Sequence, residues 1–158
     1  MKFTIKKGKH YSCFNLDKLQ PFASKRKGKV NFSLPCWYPR SSVEYTGLNK
    51  LTGLAQFLGI HENSGRLVWQ PDFENPGIIE IYGYVYSDGE RTEKKIDNAV
   101  CGAEYEYSVI YSNTMQSWIF EFNGQKLLMG GKRPKLPVKC FPYFGGKSVS
   151  PNTMTVKL

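Results

Sequence analysis

Five side chains between residues 61 and 84 have the types that proton abstraction beside a carboxylate requires. Such a reaction needs a His or Tyr to remove the proton and an Arg, Gln or Asn to neutralise the carboxylate. The sequence supplies both kinds in His61, Arg66, Gln70, Tyr82 and Tyr84. If the strands that carry them are neighbours in one sheet, they form one set, with His61, Arg66 and Tyr84 as the catalytic candidates. The alternative for His61 is a hydrogen-bonded turn residue.

Binding a sugar without any reaction requires less from the chain. It needs flat aromatic faces against the apolar side of a pyranose ring, with a few polar groups around them. The candidates for such a ligand-binding site are Arg66, Trp69, Gln70, Tyr82, Tyr84 and Tyr86. Tyrosines also bury their rings readily, so core packing is the alternative for each aromatic residue. Trp118, Phe120 and Phe122 alternate along one predicted strand and are assigned to the core.

The basic residues of the chain are concentrated at its two ends. The net charge is +9: residues 1–30 hold nine Lys/Arg and one acid, residues 31–121 six and twelve, and residues 122–158 seven and none. If the first and last strands are neighbours, the two ends form one patch that attracts polyanions. The candidates for this polyanion patch are Lys25, Arg26, Lys27, Lys29, Lys132, Arg133 and Lys135. A solvated edge that lysines protect from pairing is the alternative.

The cysteines give no metal-binding pattern. They stand at Cys13, Cys36, Cys101 and Cys140. Without a Cys-x-x-Cys pair, we expect reduced and buried thiols, no structural zinc and no cofactor. Asp72, Glu74 and Asn75 are a weak indication of a calcium loop. Because no apolar run reaches signal-peptide or transmembrane length, we expect a protein without a membrane span that stays in the cytoplasm or, if phage-encoded, enters a virion.

Short segments of alternating polarity, joined by turn residues, run through the chain. In residues 78–86 an apolar face of Ile and Val alternates with a face that carries three tyrosines. Residues 154–158 alternate in the same way, with Met154 and Leu158 on the buried side. Asp88-Gly89 and Asn123-Gly124 are typical of tight hairpin turns. Roughly a dozen strand candidates and no long helix predict an all-β fold, a two-sheet antiparallel sandwich.

Other segments carry weaker predictions. Residues 2–7 are predicted to form a charged edge strand, residues 11–15 and 42–46 weak strands, and residues 20–29 an exposed loop that contains the run KRKGK. Residues 51–61 form a near-continuous apolar run. Its interior glycines, Gly53 and Gly59, favour a strand buried on both faces over a short helix.

Three segments within residues 50–158 resemble one known superfamily. They are GIHENSGRLVW at 59–69, IYGYVY at 81–86 before Asp88-Gly89, and FPYFGG at 141–146. They resemble the concanavalin A-like lectin/glucanase jelly roll, and more narrowly small members of it from gut Bacteroidota and their phages. With a chain length typical of one domain, we expect a single jelly-roll domain over residues 31–158; the resemblance covers about residues 50–158 of it. Residues 1–30 lie outside it, and we expect them to form a basic N-terminal arm and edge strand.

The resemblance also implies two enzyme chemistries. Glucanases of this superfamily carry a Glu-x-Asp-x-x-Glu or Glu-x-Asp-x-x-x-Glu strand; here Glu104 and Glu106 begin it, about 7 Å apart in Cα spacing, but Val109 or Ile110 replaces the third acid. Alginate-lyase-like members carry Gln-Ile-His, to which residues 59–61 are similar without the Gln, and their Arg-x-Glu-Leu-Arg strand is missing. If the chain is an enzyme, a polysaccharide lyase is therefore favoured over a glycoside hydrolase.

Without an intact catalytic motif, the sequence predicts a non-catalytic jelly-roll binding module. Such a module would recognise carbohydrate, or serve as a structural or accessory component of a phage particle or similar assembly, with a protein partner or as a homo-oligomer. The alternative is a polysaccharide lyase-like enzyme that acts on an acidic glycan. Nucleic acid ranks below glycan as a ligand, because the aromatic strands lie in the acidic middle of the chain, away from the cations.

Overall fold

The alternating segments of the sequence form two antiparallel β-sheets. The computed structural model describes residues 1–12, 23–45 and 47–158. In these residues it contains eleven strands and two short 3₁₀ helices, Leu34–Cys36 and Arg40–Ser42. The strands are β1 (Lys2–Ile5), β2 (Lys25–Phe32), β3 (Asn49–Gln56), β4 (Ser64–Pro71), β5 (Ile78–Ser87), β6 (Glu90–Val100), β7 (Glu104–Ser112), β8 (Ser117–Phe122), β9 (Gln125–Gly130), β10 (Pro137–Cys140) and β11 (Met154–Lys157).

The strands divide between a six-stranded and a five-stranded sheet. The six-stranded sheet has the order β1-β11-β2-β7-β8-β9, and the five-stranded sheet has the order β10-β3-β4-β5-β6. Neighbouring strands are antiparallel in both sheets. The first and last strands, β1 and β11, pair directly. The fold is therefore the predicted two-sheet antiparallel jelly-roll sandwich.

The core lies between the two sheets and consists of alternate residues of their strands. From β5 it takes Ile79, Ile81 and Val85. From β8 it takes the three predicted core aromatics, Trp118, Phe120 and Phe122. A glycine allows the sheets to approach closely, because a Cβ atom at Gly65 would lie 2.2 Å from the Trp118 ring. The outward-facing residues of β4 and β5 are left to form a polar surface.

Two hairpins have the geometry that their turn sequences predict. Asp88 and Gly89 have φ angles of 52° and 81°, and Asn123 and Gly124 have φ angles of 49° and 79°. Left-handed conformations at both central residues are the signature of the type I′ turn. These turns join β5 to β6 and β8 to β9, which confirms both predicted hairpins.

Two of the weaker predictions are wrong. Residues 25–29 belong to β2 rather than to a loop, because their backbone pairs with β7 from Lys25 to Asn31. This strand is hydrophilic because Lys25, Lys27 and Lys29 lie on its solvent-exposed side. Residues 42–45 form no strand; Ser42 ends the 3₁₀ helix Arg40–Ser42, and a bend follows at residues 44 and 45. Residue 46 lies outside the described residues.

The apolar run at 51–61 is a strand over its first half. β3 is buried from Asn49 to Ala55, as predicted, and the helical alternative is wrong. The strand ends at Gln56, and Gly59 lies in the turn that leads to β4. In the weak strand predicted at 11–15, Tyr11 and Ser12 form only isolated bridges, and residues 13–15 lie outside the described residues.

The N-terminal strand has the predicted edge position but is not a free arm. β1 lies at the edge of the six-stranded sheet, paired with β11. Its side chains Phe3 and Ile5 are buried, and the Phe144 backbone N–H donates to the His10 carbonyl. Residues 1–12 therefore pack as part of the sandwich, and β2 runs across the domain boundary expected between residues 30 and 31.

Candidate functional site

The outer face of the five-stranded sheet gathers most of the candidate site residues. β4 and β5 are adjacent, and their register places Arg66 opposite Tyr84, Val68 opposite Tyr82 and Ser64 opposite Tyr86. Because side chains alternate along a strand, these residues share the face that points away from the core. The structure thus brings Arg66 and the tyrosines together, as the sequence predicts for neighbouring strands.

Arg66 lies beneath this face with its charge unpaired by any acid. Only 1% of the residue is exposed, and among the described residues it forms no ion pair with a carboxylate. Its Nη2 donates to the Ile60 carbonyl at 3.2 Å and its Nη1 to the Tyr143 hydroxyl at 3.5 Å, while Nε has no partner. The guanidinium lies 5.1 Å from the centre of the Tyr84 ring. Burial without a carboxylate leaves a strong positive potential at this point.

Lys50 is a second buried cation, which was not among the residues predicted from the sequence. It is 7% exposed, and its Nζ donates to the Leu48 carbonyl at 2.8 Å. Nζ also lies 4.6 Å from the centre of the Tyr84 ring. No carboxylate within the described part of the chain forms an ion pair with it. Burial, and then the charges of Arg66 and Arg91, lower the pKa of Lys50 to about 8. We call Lys50 and Arg66 the cation pair.

His61 and two tyrosines form an aromatic cluster above the cation pair. The His61 ring meets the Tyr86 ring edge-on at 5.0 Å between centroids, and Tyr86 meets Tyr84 at 5.5 Å. Partial desolvation of the ring, and then the charges of Arg66 and Lys50, lower the pKa of His61, so its imidazole is neutral at neutral pH and can accept a proton. Burial and the neighbouring Tyr86 raise the pKa of Tyr84. His61 is exposed in its turn and Tyr84 is buried.

Gln70 and Tyr82 belong to a separate network around a carboxylate. The Gln70 amide donates to Glu80 at 2.7 Å, the Tyr82 hydroxyl donates to the same oxygen at 2.8 Å, and Lys95 donates to the other oxygen at 2.6 Å. Burial and Glu80 raise the pKa of Tyr82 to about 12. These two candidates are therefore already engaged with Glu80, whereas in the described part of the chain neither member of the cation pair forms an ion pair with an acid.

Trp69 is not at the site. It is 1% exposed and packs in the core, with its ring 5.6 Å from that of Phe32. The reason is its position in β4, because residues 66 and 69 differ by an odd number and so point to opposite faces of the strand. The assignment of Trp69 to a ligand-binding surface is wrong.

Two cavities adjoin the cation pair, one lined by Lys50 and the other by Arg66. The polar cavity, of about 290 Å³, is lined by Gly47, Leu48, Lys50, Gln70, Tyr84, Arg91, Glu93 and Gly146. The apolar cavity, of about 210 Å³, is lined by Tyr11, Ile60, Arg66, Val138, Cys140, Phe141 and Tyr143. Larger hollows of about 610 and 660 Å³ occur elsewhere, around Trp37 and around Ser108. Neither is lined by the cation pair, so the two smaller cavities define the candidate site.

A glycine makes room for Arg66. In the register of the sheet, Gly53 stands between Cys140 on β10 and Arg66 on β4. A Cβ atom at Gly53 would lie 2.3 Å from the Gly65 carbonyl oxygen and 3.0 Å from Arg66 Cγ. Its φ angle of 150° also disfavours any other residue. Gly53 therefore lets the arginine lie flat across β3.

Most members of the predicted polyanion patch already have partners. Lys29 forms an ion pair with Glu104, and Lys132 with Asp88. Arg26 donates to the Thr52 hydroxyl and Arg133 to the Ala23 carbonyl. Lys25, Lys27 and Lys135 are exposed. The patch stays a prediction, carried by surface charges that salt screens readily.

The remaining polar motifs have local structural roles. The Asp72 carboxylate accepts from the backbone of Glu74 and from both the backbone and the side chain of Asn75, so this candidate calcium loop is held as an Asx turn. Glu104 and Glu106 are exposed on β7. Within residues 1–12, 23–45 and 47–158, no three His, Cys, Asp or Glu side chains cluster as metal ligands would.

The cysteines that the structure describes sit in or near the core. Cys36 and Cys140 are buried and Cys101 is half-buried. Burial raises the pKa of the Cys36 thiol to about 12. Cys13 lies outside the described residues.

Comparison with known proteins shows the fold class. No protein-family model and no curated protein matches the sequence. Among solved structures, an alginate lyase from Alteromonas sp. 272 matches with a TM-score of 0.52 at 9% sequence identity, over 90% of this chain. The chain spans 58% of that protein's length. At this identity the likeness shows the fold alone, a jelly-roll sandwich.

The structure also bears on membrane insertion. In the part of the chain that is described, no helix has the length and apolarity that a membrane crossing requires.

Proposed function

We propose that this protein binds an acidic polysaccharide on the outer face of its five-stranded sheet, with the cation pair as the attractor of a sugar carboxylate. The proposal rests on the observation that Lys50 and Arg66 are buried and that, among the described residues, neither forms an ion pair with an acid. Burying a cation is unfavourable unless an anion or hydrogen bonds compensate it. A ligand carboxylate at Lys50 supplies the missing charge in a site of low dielectric, where its effect is strongest.

The polar cavity suits the rest of a sugar ring. Arg91 and Glu93 line it beside Lys50 and offer a donor and an acceptor to hydroxyl groups. Tyr86 and His61 provide ring surface at the edge of the cation pair. The name of the structural neighbour, an alginate lyase, agrees with an acidic sugar as the ligand, because alginate is a chain of uronic acids.

The assembly role predicted from the sequence has weaker support. One of its grounds was an extended N-terminal arm that could add a strand to a neighbour, whereas β1 is paired with β11 and buries Phe3 and Ile5. We therefore place glycan binding ahead of a role in a phage particle or homo-oligomer.

The test is a titration of the protein with soluble alginate and polygalacturonate, with neutral dextran as the control polysaccharide. Lys50→Met should lose at least tenfold in affinity for both polyuronates while it folds as well as the wild type, because a buried cation is replaced by an apolar side chain of similar length. The matched control is Lys94→Met, the same change at an exposed position of β6, which should leave the affinity unchanged. Absence of polyuronate binding by the wild type, or equal binding by Lys50→Met, would refute the proposal.

A lyase is the second candidate function, and the neutral His61 favours it. In β-elimination a base removes the proton on C5 of the uronate, the C4–O bond to the neighbouring sugar breaks, and a C4=C5 double bond forms. The cation pair would stabilise the charge that develops on the carboxylate, His61 would take the C5 proton, and Tyr86 would donate a proton to the departing oxygen. Ultraviolet absorbance by the unsaturated product, followed during the same titrations, tests this. Activity that persists in His61→Gln would exclude His61 as the base.

A further inference from the structure

The apolar cavity has walls that do not suit the hydroxyl groups of a sugar. Its lining is mainly aliphatic and aromatic, contributed by Ile60, Val138, Phe141 and the rings of Tyr11 and Tyr143. Hydroxyl groups that enter such a space lose water and find few partners, which is unfavourable. A methyl or acyl group, in contrast, gains free energy by entering it.

The apolar cavity adjoins the proposed carboxylate site through Arg66 and Tyr143. Arg66 lines it, and Tyr143, another lining residue, lies under the second cation, with Lys50 Nζ 5.9 Å from the centre of the Tyr143 ring. Tyr11 extends the wall by contact with Tyr143 at 5.4 Å between centroids. A ligand that places its carboxylate at Lys50 therefore has an apolar hollow nearby, lined by Arg66 and Tyr143.

The positive charge of Arg66 on the wall of the apolar cavity limits the kinds of chemical group that would bind there. A simple hydrocarbon would gain nothing from a buried guanidinium, whereas an ester group has a carbonyl dipole whose negative end is attracted by it. An acetyl ester combines this dipole with a methyl group for the apolar wall. We propose that the apolar cavity binds an O-acyl substituent, most simply acetyl, of the same acidic polysaccharide. This inference rests on the proposed function, because it specifies the substrate of that site.

The experiment compares one bacterial alginate preparation before and after its O-acetyl groups are removed with mild alkali. The wild-type protein should bind the acetylated form more tightly, by about fourfold for each methyl group buried. Ile60→Asn places a polar amide on the cavity wall and should remove this preference. Ile60 is 38% exposed and holds Arg66 only through its backbone carbonyl, so the variant should fold. Leu58→Asn is the control, since Leu58 is 90% exposed in the same turn and does not line the cavity.

The outcomes separate the two proposals. Equal affinity for both forms, or tighter binding of the deacetylated form, overturns the acyl inference and leaves polyuronate binding intact. A preference for acetyl groups that persists in Ile60→Asn also overturns it, because the selectivity then arises elsewhere. Failure of the wild type to bind either form refutes the proposed function and the inference with it.

Discussion

Lys50 and Tyr84 meet across an intervening strand, with the Lys50 ammonium 4.6 Å from the centre of the Tyr84 ring. Lys50 belongs to β3 and Tyr84 to β5, and β4 runs between them with Arg66 directly opposite Tyr84. The tyrosine ring attracts both cations by its π-electrons. It does not neutralise them, so the two positive charges keep their full value.

Ligand binding should take up a proton near pH 8. The pKa of Lys50 is about 8 in the free protein, because burial, Arg66 and Arg91 oppose its charge, and a bound carboxylate favours the charged form. Affinity for polyuronate should therefore fall as the pH rises through 8 and above. Calorimetric titrations at pH 8 in two buffers of different ionisation enthalpy measure the uptake, which Lys50→Met should abolish.

The same pKa makes a prediction about stability. A Lys whose pKa is lowered from 10.5 to about 8 on folding binds more protons in the unfolded state between these two values. Its ammonium therefore destabilises the fold below pH 8, and this penalty disappears as the pH rises toward 10.5. Lys50→Met should be more stable than the wild type at pH 7, and the difference should shrink by pH 9.5. Urea denaturation of both proteins at the two pH values checks this, and a difference that grows with pH would contradict it.

The sequence contained part of the site and lacked the rest for identifiable reasons. Arg66 and Tyr84 could be predicted to share a face, because each lies in a strand of clear alternation and the strands are joined by a short connection. The same alternation excludes Trp69, whose position relative to Arg66 puts it on the core side. Lys50 could not be found in this way. The face to which the Lys50 side chain points depends on a register shift between Lys50 and Thr52 in the pairing of β3 with β4. The local sequence pattern does not predict this shift.

The fold class was predictable because the hairpin turns and the alternating strands are local signals in the sequence. The pairing of β10 with β3 was not, because it joins residues 137–140 to residues 53–56, which are distant in the chain. The apolar cavity is formed where β10, the β3–β4 turn and Tyr11 converge. Because these three segments are far apart in sequence, their convergence is a property of the tertiary structure alone.

Gly53→Ala should destabilise the protein severely. The new methyl group would lie 2.3 Å from a backbone oxygen, and the alanine backbone would have to adopt a φ angle of 150°. Overpacking and backbone strain of this kind cost at least about 2 kcal/mol. The matched control is Gly130→Ala in β9, where a Cβ atom meets nothing within 4 Å. The free energy of unfolding, from urea denaturation, should fall in the first variant and stay within about 0.5 kcal/mol in the second. Comparable stability in both would show that β3 can relax around Arg66.

The pKa of His61 should depend on the charges of Arg66 and Lys50. After burial, Arg66 and Lys50 are the causes that lower the pKa of His61, so removal of either charge should raise that pKa. NMR titration of the imidazole proton should show an increase in Lys50→Met and a larger one in Arg66→Met, since Arg66 is the stronger of the two. The chain has two histidines, and the His10 resonance, from the region of Phe144, serves as the internal reference.

An unchanged His61 titration in both variants would mean that the charges of the cation pair do not affect the aromatic cluster, and it would remove the electrostatic basis for His61 as a neutral base. If the pKa of His61 rises only in Arg66→Met, Lys50 is too far from the imidazole to affect its protonation. Arg66 alone would then lower the pKa of the base, and Lys50 would act only on the sugar carboxylate.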